Sequence, residues 1–560
     1  MKSLIITLVI GIAAIPLTAQ PKREVRAVWL TTNSGLDWPA GETTPSRQKQ
    51  SMIKILDRLA AANFNTIIFQ AQIKGDVAWE SSYQPTMRWI TGNGSVNMSY
   101  DVSRFVIDEC HKRNMECHAW IVPYRIGSAT EASKYAANPR KHVYITHPQL
   151  CKESGSEYYL DPGNPDVRSY LLDVYSELIR NYDFDGVNFD YTRYPSTDGL
   201  PDDDTYAAYN PDGLPRSDWR RQNINTFIAE FYEMAKSINP DIKVGAAPIG
   251  CYKNLPGYSN MTAYGVYQDA CQWMKSGNHD LLIPQMYWNE KYGFSSHMNT
   301  WINNCDGRQL VVGIAPYKMV DGTNDWEPEV IYDQIDKIRA KQGMSGVCFF
   351  RTEHVIGTHK RETALYDKLQ SEYFKYPAHI PTMDYNGVTT PDKPQNVTQE
   401  YINGRYQINW DAPTDADIKY FSVYLCDGNT VDTNNPDKVA AHIVKDNHFA
   451  YTSDNPDLSF AVTAFDKGYF ESSPAIASEA GVDDISANPT LFRFCNQAIE
   501  IEGSREINRV EIYTTTGMQI KLIVIRASSA FIDCASLSKG LYIVRTIYSN
   551  GSVDVNKILR

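Results

Sequence analysis

The sequence predicts an α/β fold, a (β/α)8 TIM-type barrel followed by two small all-β sandwich modules, and three observations carry that expectation. Eight short β-rich apolar runs alternate with helix-period segments between Arg26 and Phe350, the alternation that a closed parallel barrel requires. The stretch after the first run reads LTTNSGLDW rather than a Gly-rich phosphate loop, which argues against a doubly wound open sheet. Beyond Tyr373 the hydrophobic period changes from 3.6 to two, the mark of sheets rather than helices.

In chain order the eight runs are RAVWLT, NTIIFQAQ, ECHAWIVP, GVNFDY, KVGAAP, LLIPQMYW, LVVGIAP and GVCFFR. The helix expected after the first starts at Pro45 and places Met52, Leu56 and Leu59 on one face. The clearest helix follows Asn164. Val167, Tyr170, Leu171, Val174, Leu178 and Ile179 recur at spacings of three and four, Asn164 can cap the helix, and Pro165 and Asp166 suit its first turn. DVSRFVIDECHKRN, SDWRRQNINTFIAEFYEMAKSI and EPEVIYDQIDKIRAKQG follow the same rule, with weaker patterns around Trp273, Trp301 and Leu369.

These readings give a barrel over residues 22–375 and a Pro- and Gly-containing linker over 376–393. A chain ending near Ile380 is therefore expected to fold alone. YQINWDAP, YFSVYLCD and SFAVTAFD are alternating strands at sandwich-like spacing within residues 394–480, and residues 484–560 are again β-rich.

At 560 residues the chain needs two to four domains. Its 66 acidic and 54 basic residues give a net charge of -12 with no long Lys/Arg run, which makes nucleic acid and anionic membranes poor partners. The first residues, MKSLIITLVIGIAAIPLTAQ, read as a signal peptide over 1–19 cleaved near Ala19. No later segment has 18 uninterrupted apolar residues, so no transmembrane segment is expected and the mature protein is placed outside the cytoplasm, in the periplasm, at the cell surface or beyond. The ten cysteines are scattered without a CxxC pair; Cys110 and Cys117 read as small buried hydrophobes, and no metal or cofactor is expected.

Chemistry in such a barrel sits at the carboxyl ends of the strands. The first strand brings Trp29 there, the second Gln70 followed by Asp76, and the third His118, Trp120, Tyr124 and Arg125. The fourth brings Asp190, Tyr191, Arg193 and Tyr194, the sixth Gln285, Tyr287, Trp288 and Glu290, and the eighth Arg351 and Glu353. Aromatic rings offer flat platforms for sugars, and carboxylates, amides and guanidinium groups hydrogen-bond ring hydroxyls. The set reads as a carbohydrate cleft. Trp29, His118 and Trp120 read equally well as barrel filling, and Asp190 with Arg193 or Arg125 as a structural ion pair.

REVRAVWLTT, NTIIFQAQIKGDVAWESSYQP, CHAWIVPYR, FDGVNFDYTRYP, IPQMYW and FFRTE resemble, in this order, the family-10-like glycosyl hydrolases, formerly unknown-function family 187; the match runs from Arg23 to Tyr373. The resemblance implies a TIM-type barrel in secreted or envelope proteins and a glycosidase role, best supported on peptide-free peptidoglycan glycan strands. Residues 394–480 resemble a fibronectin type III module with Trp410 as its early core tryptophan, and LSKGLYIVRTIYSNGSVDVNKILR resembles a C-terminal sorting domain, which implies secretion machinery as a further partner. The fourth strand departs from the chitinase-type DGxDxDxE pattern. Asp185, Asn188, Asp190 and Thr192 stand in its positions, so Thr replaces the proton-donating Glu. The QMYW run looks chitinase-like and implies a substrate bearing N-acetyl groups.

Glycosidic cleavage needs an ionised carboxylate near the anomeric carbon and a protonated carboxyl near the leaving oxygen. Asp190 is assigned the first role, with Arg193 or Arg125 expected to hold its pKa low. Glu353 is the first candidate for the acid, and Glu290 and Asp76 follow; Asp185 reads as structural. A non-catalytic carbohydrate-binding barrel is the competing reading.

Overall fold

The structure is a computed structural model. It describes residues 20–258, 261–305, 307–383, 390–479, 491–495, 497–515 and 517–560. The expected signal peptide, residues 384–389 of the expected linker, and the junction before the C-terminal module lie outside the described residues.

Eight strands form the barrel: β1 (Val25–Leu30), β2 (Thr66–Gln70), β3 (Glu116–Ile121), β4 (Gly186–Asp190), β5 (Lys243–Ala247), β6 (Leu281–Leu282), β7 (Gln309–Ile314) and β8 (Gly346–Phe349). They are hydrogen-bonded in the closed order β1-β8-β7-β6-β5-β4-β3-β2, with parallel registers throughout. β6 is short because Pro284 has no N–H to give the ladder. Pairing resumes one residue later, where Gln285 bridges Ile249 and Gly313.

One main helix follows each strand: α1 (Pro45–Ala61), α2 (Val102–His111), α3 (Pro165–Asn181), α4 (Arg216–Ile238), α5 (Ala270–Lys275), α6 (Phe294–Asn304), α7 (Pro328–Arg339) and α8 (Lys360–Lys368). The local chemistry is as the sequence reads. The Asn164 side chain accepts the Asp166 N–H at the start of α3, Pro165 occupies its first position, and Val167, Leu171, Val174, Leu178 and Ile179 are buried. A disulfide joins Cys271 in α5 to Cys305 just after α6, while Cys110 and Cys117 are free and buried.

Alternation along the strands makes two cores. One face, with Val28, Ile67, Phe69, Val187 and Phe189, packs under the helices. The other fills the barrel interior with Trp29, Ile68, Trp120, Ala247, Leu281, Ile283, Val311 and Cys348. Two glycines make room for the interior rings. A Cβ at Gly313 would stand 2.9 Å from the Trp29 ring, and one at Gly186 would stand 2.7 Å from the His118 ring.

Among the described residues, those to Val397 and Tyr401–Ala477 form one compact unit, which holds the barrel and most of the module after it, and Thr398–Glu400 with Ser478–Arg560 form a second. The module has strands β9 (Gln395–Ile402), β10 (Arg405–Asp411), β11 (Ile418–Leu425), β12 (Val439–Val444), β13 (His448–Thr452), β14 (Phe460–Asp466), β15 (Ala475–Ile476) and β16 (Ser478–Glu479). They form two four-stranded sheets, β13-β10-β9-β16 and β12-β11-β14-β15, enclosing Trp410, Phe421, Val423 and Phe460. In the C-terminal module β17 (Leu491–Cys495), β18 (Ala498–Thr514), β19 (Gln519–Asp533), β20 (Leu541–Tyr548) and β21 (Val553–Leu559) lie on one antiparallel sheet, not on two separate ones. Repeated register shifts between β18 and β19 interrupt its ladder.

The segment expected to be a linker is packed as far as Met383. His379 and Ile380 are buried, His379 O accepts the Glu24 N–H, and the His379 ring stacks on His442, Phe465 and Tyr420. Tyr469, between β14 and β15, hydrogen-bonds Glu116 at the start of β3, and its ring carries the Lys243 ammonium. The first sandwich therefore plugs the amino-terminal end of the barrel. A cavity of about 740 Å3 lies at this same junction, lined by His111, Lys243, His379, Lys419 and Tyr469 among others. No described helix is long and apolar enough to cross a membrane.

Candidate active site

At the carboxyl ends of the strands, the last inward position of β4 is Asp190. Period two on β4 turns Asn188 and Asp190 to the same face, and the registers set Asn188 opposite Trp120 on β3 and Asp190 opposite Ala247 on β5. Asp190 is buried. Its Oδ2 accepts the Trp120 indole N–H at 3.2 Å; its Oδ1 accepts the Tyr191 backbone N–H at 2.8 Å and the Gln285 amide at 3.0 Å. Gln285 also donates to Ala247 O at 3.1 Å, which fixes its direction. Tyr191 takes φ 51°, a left-handed conformation that brings its N–H back onto the carboxylate.

Aromatic rings surround this carboxyl. Tyr287 stacks on Phe350 at 5.4 Å, Trp29 and Trp120 meet Phe350 edge-on at 6.1 and 6.4 Å, and Tyr317 closes on both Tyr287 and Phe350. Burial pushes the Asp190 pKa up; Arg193 and the three hydrogen bonds oppose this without reversing it. This corrects the expectation of a carboxyl held low by arginine. The ion pair is also absent, because Arg125 is committed to Glu157 by two bonds of 2.6 Å, and no carboxylate of a described residue stands within 4.0 Å of the Arg193 guanidinium.

The other candidates are dispersed. Gln70 is buried and accepts from the Thr31 hydroxyl and from the Thr32 and Asn33 N–H groups, so it fastens the β1–α1 loop. Arg351 bridges Asp37 at 2.5 Å and Glu353 at 2.6 Å, and the Glu353 N–H also reaches Asp37. The Glu353 side chain is 52% exposed beside the β8 end.

Asp76 hydrogen-bonds Tyr135 in a hairpin outside the barrel (Gln72–Ile73 with Asp76–Val77), and its Oδ1 is buried without a protein partner. Burial pushes its pKa up to about 7. Glu290 lies on the surface, bound to Ser295 and Lys337.

Four candidates lie away from the cleft. His118 sits in the lower half of β3 against Glu116 at 3.1 Å, because the alternation that turns Trp120 inward at the top also turns His118 inward two residues below. Tyr124 packs on Phe227 of α4 at 5.7 Å and Tyr194 on Tyr267 at 5.2 Å, both behind the strands. Trp288 turns toward α6, where its ring meets His297 at 5.2 Å. Asp185 is structural, as read: it accepts the Cys117 N–H and bonds His111 at 2.8 Å below the barrel.

The sequence reading missed Asp37, Phe350, Tyr317 and Glu157, and named Asn188 only as a position of the chitinase-type pattern, without a role in the site. Phe350 and Tyr317 lay inside the quoted eighth run and just beyond the seventh, so applying the strand-end rule to every aromatic would have found them. Asn188, whose amide atoms are buried without protein partners, stood in the quoted GVNFDY run.

A closed parallel barrel with a buried carboxyl at the end of β4 and an aromatic floor around it is a glycosidase-type scaffold. The chain belongs to the glycosyl hydrolase-like 10 family, whose model matches residues 24–326. It is similar to glycosyl hydrolase YngK of Bacillus subtilis strain 168, 30% identical over 455 residues, covering 76% of this chain and 88% of the relative. Glycosyl hydrolase DigH of Escherichia coli K12 is 31% identical over 392 residues, 64% of this chain and 89% of the relative. Among solved structures, the glycoside hydrolase domain of PgaB (BpsB) from Bordetella bronchiseptica aligns with a TM-score of 0.43 at 14% identity, over 62% of this chain and 99% of that one.

Proposed function

We propose that the chain is a secreted glycoside hydrolase that cleaves peptidoglycan glycan strands or another N-acetylated polysaccharide, working in the periplasm or at the cell surface. The observation that carries the reading is Asp190, a buried carboxyl with three fixed donors at the centre of an aromatic floor. It serves as the carboxylate that stabilises or attacks the oxocarbenium-like centre, and Tyr287, stacked on Phe350 beside it, orients the N-acetyl group. Glu353 supplies the proton to the leaving oxygen. Family membership supports hydrolysis of a glycan, and the leader-like residues 1–19 support export. The fibronectin type III-like module acts as the plug under the barrel, and the C-terminal module acts as a sorting domain.

The deciding experiment incubates the full chain with purified peptide-free glycan strands and measures new reducing ends. Wild type should release them, Asp190→Asn should not, and Glu353→Gln should be slowed on strands whose leaving group needs a proton. A second reading, a carbohydrate-binding barrel without catalysis, is favoured by one observation. Among the described residues no second carboxyl is bonded into the Asp190 network. Strand binding without reducing ends would establish it.

A further inference from the structure

The Tyr191 ring lies against two guanidinium groups, Arg193 at 4.3 Å and Arg125 at 5.4 Å. Their electrostatic situations differ. Arg125 is neutralised by the bidentate contact with Glu157 on the hairpin strand Glu157–Leu160. Arg193 is half-buried, and among the described residues its guanidinium makes no ion pair and no hydrogen bond; its one fixed contact is the face of Tyr191. Asp190, three residues earlier, is the nearest carboxyl in sequence, but its oxygens already accept three other donors. A guanidinium held over a ring by its face contact, with no hydrogen-bond partner, keeps N–H donors free for a ligand, here beside the carboxyl assigned to the chemistry.

We propose that Arg193 is the anion-reading residue of the cleft and that the substrate carries a carboxylate substituent on a sugar next to the scissile bond. This rests on the glycosidase reading. A carboxylate fits better than a phosphate or sulfate ester, because its planar pair of oxygens matches one guanidinium fork. A dianionic phosphate monoester also asks for several donors and meets more repulsion from Asp190 and Glu157 close by. Tyr191 is the rigid backing, since its left-handed backbone is pinned by the bond to Asp190.

The test compares peptide-free peptidoglycan glycan strands, which carry a free carboxylate on alternate sugars, with the same strands after reduction of those carboxylates to alcohols. For wild type, reduction should raise KM about tenfold or more with kcat little changed, the scale of one charge-assisted bidentate contact. Arg193→Gln should raise KM on the native strands by the same factor and leave KM for the reduced strands little changed. Arg193→Lys, which keeps the charge without the fork, should fall between, and melting of each variant confirms that it is folded. Equal KM for both strands with wild type overturns the proposal. So does an Arg193→Gln loss of the same size on native and reduced strands, since Arg193 would then act only through the Asp190 charge, which it is placed to favour. If neither strand is cut by any form, the glycosidase reading fails on its own account. Calorimetric binding of the two strands to wild type and Arg193→Gln then still decides the role of Arg193.

Discussion

The two ends of the barrel treat the same chemical group in opposite ways. β4 runs between two aspartates, Asp185 just before it and Asp190 at its end. At the amino-terminal end, burial pushes Asp185 up, but the His111 hydrogen bond and the Lys419 and His111 charges bring its pKa down overall. Beside it, Glu116 is held well below the usual carboxylate range, against its own burial, by Lys243 and His118, and Tyr469 of the sandwich completes its shell. At the other end the Asp190 oxygens accept only neutral donors, the Arg193 charge acts without an ion pair, and burial wins. Charge at the amino end is compensated and sealed; the carboxyl at the other end has no bonded cation. That division separates the stability face of such a barrel from its chemical face.

The largest expected effect tests that division directly. Asp190→Asn should lower turnover by about 10³ or more, near 4 kcal/mol of transition-state stabilisation, and leave the thermal midpoint almost unmoved. A large fall in the midpoint with normal turnover per folded molecule would erase the difference between the ends.

Lys243→Ala is the mirror experiment. It leaves Glu116 buried without its cation, and denaturant titration should show a loss of about 3–5 kcal/mol with activity preserved in the folded fraction. Truncation after Ile380 applies the same logic to the plug. The sequence expects that shorter chain to fold alone, whereas the packing of His379 and Tyr469 expects it to be insoluble or markedly less stable, and solubility with circular dichroism decides.

The pH dependence should also come from the sealed end. Burial pushes His379 and His442 down, His442 to about 3, with nearby cations adding to the effect. An unfolded histidine takes its proton near 6.5, so this contribution is intact above that pH and is lost as pH falls from 6.5 toward 3, by up to about 1.4 kcal/mol per pH unit per imidazole. Urea midpoints across that window should fall, and His442→Phe should flatten the slope. The smallest effect belongs to Glu290→Gln. Its side chain is 47% exposed on Lys337, so stability should move by less than about 0.5 kcal/mol and activity should stay within twofold; a larger loss would bring Glu290 back as an acid.

The barrel was legible because alternation, caps and helix period are local properties. Asn164 and Pro165 start α3 as their chemistry dictates, and Asp190 falls at a strand end by counting. What was not legible depends on which way a side chain leaves the strand end and on what else is buried beside it. Tyr124, Tyr194 and Trp288 are aromatic residues after strands, as Tyr287 is, yet three turn behind the barrel because α4, the β5–α5 loop and α6 offer apolar partners there. Arg125 was a plausible partner for Asp190 until Glu157, from a hairpin with no signal in the repeating pattern, took it. The sign of the Asp190 shift was equally out of reach, since it is a contest between enclosure and charge that only coordinates decide.

The cross-link between Cys271 and Cys305 bears on how the molecule fluctuates. The 34-residue span it closes holds β6 and the turn that presents Gln285 and Tyr287 to Asp190. Tying the two ends of that span removes about 3–4 kcal/mol of loop entropy from states in which it is loose. β6 has only two residues in regular pairing, because Pro284 interrupts it, and would otherwise be the first stave of the barrel to open. With the clasp closed, partial opening of this wall is suppressed relative to opening of the whole barrel. Amide exchange around Gln285 should therefore slow to the rate of global unfolding, so that the donor aimed at Asp190 stays in place.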